Sequence, residues 1–234
     1  MDGIINLYKP RGYTSHDAVA RIKRFCGTKR VGHAGTLDPM ADGVLPILVG
    51  RAAAAQEYLM NHDKRYLAGM RFGLVTDTGD ITGRVISQTA VKLNCKDIGL
   101  AAENFTGKIR QIPPMYSAIK MNGKKLYELA REGIAVERRE REIEIYKIEV
   151  LKAVTDTDFL VRVECSKGTY IRTLCEDIGE MLGCGGTLYS LTREACGEFD
   201  ISDTVTLDEI ERIYCEGGSS AVERFLISPE KVFT

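Results

Sequence analysis

The feature that most constrains the fold of this chain is the way two hydrophobic periods alternate along it without the regular strand–helix–strand beat of a parallel α/β protein. Residues 66–72 (YLAGMRF) and the alternation of Phe159, Val161, Val163 and Cys165 with Leu160, Arg162 and Glu164 have period two, which predicts strands. Residues 142–151 (EIEIYKIEVL) predict another strand, with a phase slip near Tyr146 that reads as a bulge. Helical period appears elsewhere. Thr14 and Asp17 have the spacing of a capping box, Ala18, Val19, Ile22 and Phe25 share one helix face, and Gly27 is placed to end that helix. Ile171, Leu174, Cys175, Ile178, Met181 and Leu182 form a second stripe, opened by the Ser166–Thr169 turn and closed by Gly183. Shorter helices are expected at about 96–104, 125–132 and 206–213. The mixture predicts an α+β fold with a largely antiparallel central sheet flanked by helices and loops.

At 234 residues the chain can bury a core without covalent staples. Its seven cysteines are odd in number and scattered, and none has the two-residue spacing of a zinc ribbon or redox pair, so they read as reduced, mostly buried hydrophobes. No apolar run approaches the length of a membrane span, which points to a cytoplasmic protein with no membrane partner. The formal net charge is −1, yet positive charge is bunched at Arg21–Arg24, Lys29–Arg30, Lys64–Arg65 and Lys120–Lys125. Residues 107–142 are polar and basic and carry two consecutive prolines, so they read as a long insertion over the surface of one domain, 1–234. The turn at Asp77 and Asp80 lacks the spacing of a calcium loop, and no metal site is expected.

The stretch from Arg30 to Pro46, RVGHAGTLDPMADGVLP, is the most unusual in the chain. Three glycines and two prolines fix a loop, and that loop carries one of the three histidines and an aspartate followed by proline. Such a loop can hold a carboxylate rigidly. It is no P-loop, because no Gly-Lys-Ser/Thr follows. A lone Asp-Pro is usually a turn signal, and the case for chemistry rests on the whole string.

That string resembles the signature loop of the bacterial tRNA pseudouridine-55 synthases. Four further segments are similar to the same family in the same order: Lys9–Ser15 (KPRGYTS), Asp63–Tyr66 (DKRY), Ile112–Lys120 (IPPMYSAIK) and Cys165–Thr173 (CSKGTYIRT). The resemblance covers about residues 4 to 200. It implies a pseudouridine-synthase-like fold with an RNA-contacting insertion at 107–142, and isomerisation of uridine to pseudouridine at position 55, in the T-arm loop of tRNA. The reaction breaks an N-glycosidic bond, turns the base and joins its C5 to the sugar, with no net redox change, so no cofactor is expected.

By the same resemblance Asp38 is the catalytic carboxylate. Attack on the uracil ring, attack on the anomeric carbon and removal of a sugar proton all remain open for it. Arg172 corresponds to the arginine that pairs with this aspartate, and Tyr66 to the tyrosine that stacks on the target base and accepts a proton. Tyr170 corresponds to a substrate-contacting tyrosine and Leu191 to a residue lining the uracil pocket. His33 corresponds to the histidine associated with opening the RNA loop, and Lys9, with Pro10, to the shell supporting the substrate site. Members of the family usually continue into a small C-terminal RNA-binding module, and on this reading that module is absent after Thr234. The implied partner is the T stem-loop of tRNA, without guide RNA, and the chain is expected to be a monomer. The alternative is a tRNA-binding or folding factor in which catalysis is incidental or lost.

Overall fold

The computed structural model describes residues 1–121 and 123–231. Asn122, inside the expected insertion, and residues 232–234 of the tail lie outside the described residues. In chain order the elements are β1 (Gly3–Lys9), α1 (Ser15–Cys26), β2 (Val31–His33), β3 (Asp42–Val49), α2 (Gln56–Met60), β4 (Lys64–Phe72), β5 (Leu74–Thr76), β6 (Val85–Gln88), α3 (Cys95–Glu103) and β7 (Gly107–Gln111). They continue with β8 (Lys120–Met121), β9 (Lys124–Lys125), α4 (Leu126–Arg131), β10 (Arg141–Ala153), β11 (Asp158–Cys165), α5 (Ile171–Met181), β12 (Gly186–Cys196), β13 (Phe199–Asp200), β14 (Val205–Thr206) and α6 (Leu207–Val222). The chain forms two compact units, one from residues 1–66 and 192–234 and the other from 67–191. Strand pairing is mixed and mostly antiparallel, the α+β arrangement expected from the alternating periods.

In the first unit the strand order is β14-β1-β3-β12, with β2 along part of β3 and β13 on β12. β1 and β3 are antiparallel, with Leu7 opposite Leu45 and Ile5 opposite Ile47. Those four side chains face α1 and α6, where Ala18, Ile22, Phe25, Ile210 and Val222 complete a core. Ile4, Val44 and Leu48 point the other way, onto Leu59, Cys196 and Phe199. Burial on both faces explains why residues 44–49 read as a continuous apolar run. The capping box of α1 forms as its spacing predicts, and Gly27 ends the helix in the left-handed conformation.

One edge of β3 changes partner along its length. β12 pairs with Asp42 and Gly43, and β2 pairs with residues 47–49. Pro46, which has no N–H to donate, lies between the two pairings, and its carbonyl accepts from Ala34 N at 2.9 Å. The chain therefore leaves the sheet after β2 and returns at β3, with the Asp38 loop between.

In the second unit the order is β12-β4-β11-β10-β7. The bulge expected near Tyr146 is present as a register shift between Ile145 and Lys147, and a second occurs between Val150 and Lys152. Phe159, Val161, Val163 and Cys165 are all buried, and Arg71 clasps Asp158 through two 2.7 Å bonds. Three features depart from the periodic reading. Residues 107–111 pair with β10, so the first part of the polar insertion is a sheet strand. Met181, placed in the apolar stripe, is exposed at the end of α5. In the first unit, α6 continues past the expected stop to a kink at the non-helical Gly218, beyond which a second helical stretch reaches Val222.

Gly179 shows where packing overrides propensity. Glycine in a helix interior is normally about 1 kcal/mol worse than alanine. Here a Cβ would lie within 3 Å of backbone atoms of Gly185 and Gly186, at the turn leading into β12. Gly179→Ala is expected to destabilise the protein by about 2 kcal/mol or more, read as a lower urea midpoint. On the same helix, burial with help from Glu180 pushes the Asp177 carboxyl up to about 6. Between roughly pH 4 and 6 the native state then holds a proton that the unfolded chain has released, so stability falls as pH rises through that window and stays lower above it. Asp177→Asn should be close to neutral near pH 4 and stabilising by about 1 kcal/mol at pH 8, checked by urea unfolding at the two pH values.

Candidate active site

The Asp38 loop lies wholly in the first unit and is pinned almost atom by atom. Ser15, the first residue of α1, is buried, and its Oγ accepts from Leu37 N at 2.9 Å and donates to Leu37 O at 3.1 Å. Gly12 N donates to Pro39 O at 2.7 Å, and Ala41 N closes the turn onto Asp38 O at 3.0 Å. The residues on both sides of Asp38 are thus tied to the β1–α1 connection, while Asp38 itself stays partly accessible.

Lys9, the last residue of β1, is fully buried. Its ammonium donates to Pro10 O at 2.9 Å, Tyr13 O at 2.8 Å and Ala41 O at 2.7 Å, which uses all three of its donors. Burial brings it down to about 8, against the opposing pull of Asp42 and Asp38, while Arg193 and Arg11 push it the same way as burial. Lys9 therefore ties the start of α1 to the exit of the Asp38 loop. Asp42, at that exit, accepts from Thr192 Oγ1 at 2.6 Å and lies 3.8 Å from Arg11. His33, at the end of β2, meets His16 edge-on at 5.8 Å between ring centroids. Tyr66 is buried in β4, two residues after Lys64, whose ammonium is held by the carbonyls of Met60 and His62.

The second unit carries the other residues singled out from sequence. Tyr170 precedes α5, and its backbone exchanges two hydrogen bonds with the buried Gln111 side chain, at 3.0 and 3.3 Å. Arg172, in the first turn of α5, is buried and donates to Tyr116 O at 2.7 Å and Thr78 O at 3.1 Å. Asp80 lies 3.9 Å from it and is itself held by Thr78 and Thr82. The Asp77–Asp80 turn thus serves as a support for Arg172, as does the segment after the two prolines. Leu191 is buried on β12.

Gln111 and Arg193 escaped the sequence reading, which took Asp80 only for part of a turn and Ser15 only for the end of a matched segment. A serine at the start of a helix looks like a cap, and a lone arginine in a strand looks like surface. Only the partner strands reveal that Arg193 is fully buried and bonded to the carbonyls of Val44 and Gly35.

Comparison with known proteins bears on what such a site belongs to. Residues 23–171 match the model for the TruB family pseudouridylate synthase N-terminal domain, and residues 172–234 match the tRNA pseudouridylate synthase B C-terminal domain. The tRNA pseudouridine synthase B of Clostridium kluyveri is 48% identical over 211 residues, covering 90% of this chain and 73% of the relative. That of Ectopseudomonas mendocina is 45% identical over 226 residues, covering 97% and 74%. Among solved structures, a Cbf5-Nop10-Gar1 complex aligns with a TM-score of 0.76 at 31% identity, covering 98% of this chain and 61% of that one. An H/ACA RNP bound to a substrate RNA containing 2'-deoxyuridine aligns with a TM-score of 0.71 at 29% identity, covering 97% and 59%. This chain therefore spans about three fifths of the length of those structural neighbours and about three quarters of its bacterial relatives. With the family models matching from residue 23 to the last residue and relatives nearly half identical over nine tenths of it, the chain belongs to the TruB family of pseudouridylate synthases.

Proposed function

We propose that this protein isomerises the uridine at position 55, in the T-arm loop of tRNA, to pseudouridine, with Asp38 as the catalytic carboxylate. The observation that carries the reading is the pinned loop: the backbone of Leu37, Asp38 and Pro39 is bonded to Ser15, Ala41 and Gly12, which fixes the position of Asp38, and Asp38 is partly accessible. A reaction in which one molecule is cut and rejoined with itself depends on positioning above all, because the detached base must be kept and turned in place. Tyr66 is assigned to stack on the base and accept a proton, Tyr170 and Leu191 to line its pocket, and His33 to take part in opening the RNA loop. Arg172 supplies buried positive charge, and Lys9 supports the loop rather than the RNA, its three donors being committed. Extruding a uridine from a folded arm costs a few kcal/mol, which binding to the RNA backbone must offset.

The ribbon of β8 and β9 offers such binding. It places Lys120 opposite Lys125, a like-charge pair that is unfavourable alone and favourable beside a polyanion. We read the chain as a monomer acting in the cytoplasm without guide RNA. Among the described residues no helix is long and apolar enough to cross a membrane.

Tritium release from unmodified tRNA transcript labelled at C5 of uridine tests the reaction. The parent should release tritium with no guide RNA present, and Asp38→Asn should lower the rate by at least about a thousandfold while still binding tRNA. Release unchanged in Asp38→Asn would remove the aspartate from the chemistry, and binding without release by the parent would favour a binding factor. Replacing Lys120 and Lys125 together by alanine should weaken tRNA binding and make the salt dependence shallower by roughly 1.5 in log–log slope, about 0.7–0.9 for each phosphate no longer neutralised. An unchanged slope would take the ribbon out of the RNA interface.

A further inference from the structure

We propose that Arg193 is a positioning residue for the isomerisation, a clamp across the neck of the hairpin that presents Asp38; the inference rests on the isomerase reading above. Arg193 has one of the largest fully buried side chains in the molecule, with only 1% exposure. Its Nε donates to Val44 O at 2.6 Å, and one of its terminal nitrogens donates to Gly35 O at 3.3 Å. Those two carbonyls stand on opposite arms of the loop, one shortly before Asp38 and the other shortly after it. A single planar cation bonded to both sets their separation, and so sets the opening of the loop.

The position of the clamp follows from the sheet. β3 exchanges β12 for β2 between Gly43 and Ile47, and along that edge the pairings of β12 and β2 skip Val44, whose strand partner is Tyr8 of β1 on the other side. The guanidinium occupies the place of the missing ladder bond. The backbone of Arg193 is fixed as well, paired with Gly43 in the parallel register. Gly43 has a φ of +102°, and a Cβ there would lie within 3 Å of Arg193 O and N, so the two chains approach as closely as glycine allows. Gly35, at the other arm, also has a left-handed φ of +93°.

A guanidinium is expensive to bury, and among the described residues no carboxylate forms an ion pair with it. An apolar side chain filling the same volume would remove that buried charge but leave the carbonyls of Val44 and Gly35 without these donors. What it could not do is tie residues 35 and 44 together. The fork therefore has a use that packing does not supply, which is to hold a reactive carboxylate at fixed reach, where an error of about 1 Å costs on the order of a hundredfold in rate.

The test compares the parent with Arg193→Lys and Arg193→Met in single-turnover tritium release from labelled tRNA transcript, alongside the tRNA dissociation constant and the folded fraction from circular dichroism. Lysine keeps the charge but lacks the fork. The rate per folded molecule is expected to fall about 10- to 100-fold in Arg193→Lys and further in Arg193→Met, with the dissociation constant within about twofold of the parent's. A parent-like rate in Arg193→Lys, or a loss that only follows the folded fraction or the tRNA affinity, overturns the clamp while leaving the isomerase reading intact. Failure of both variants to fold marks Arg193 as a stability element and also overturns it. No release by the parent overturns the isomerase reading, and the clamp with it.

Discussion

The first unit depends on how the main chain of β3 is satisfied along one edge. A buried strand cannot leave carbonyls without partners, and β3 has two neighbours that share this edge without covering all of it. Where they part, two substitutes for a ladder appear, the Arg193 guanidinium on Val44 O and the backbone of Ala34 on Pro46 O, and Pro46 has no N–H that would need a partner. The gap through which the chain leaves the sheet is thereby made rigid. Asp38 owes its fixed location to a hole in a hydrogen-bond ladder that has been closed with other donors.

Charge is managed by the same means. Lys9 and Arg193 are both essentially without exposure, and both direct their donors at carbonyl oxygens of or next to the loop. Carbonyl dipoles satisfy the N–H groups without cancelling the net charge, so two buried cations remain electrostatically present around the hairpin. Lys9 responds to this setting, being drawn down to about 8 by burial and by Arg193 while Asp42 and Asp38 oppose the shift. In the second unit Arg172 follows the same pattern, with Thr78 O and Tyr116 O as acceptors and Asp80 at the outer limit of an ion pair.

What could be read from sequence was what depends on neighbours along the chain. The capping box of α1, the alternation in β11 and the bulge at Tyr146 are local patterns, and the structure shows each of them. The fate of residues 107–111 was hidden because a short polar strand is recognised only by its partner, here β10. Gly179 and Gly43 look like helix and strand defects until the backbone facing each is known. The Asp38 loop stood out through its resemblance to a family, whereas Gln111 and Arg193 carry no local signature and are defined by partners far away in the chain.

The division of the chain into 1–66 with 192–234 on one side and 67–191 on the other has a kinetic side. The second unit is one continuous stretch, so its packing can form as soon as that stretch exists. The first unit has α1 and β1 from the beginning of the chain and α6, β14 and Arg193 from near its end. Closing so long a loop costs little more free energy than closing one half as long, roughly 0.6 kcal/mol per doubling, yet it slows the search for partners. During synthesis the Asp38 hairpin must therefore wait, with α1 and β1 lacking their cover, until residues 192–222 emerge. The loop that carries Asp38 is among the first parts of the molecule to be made and among the last to be set.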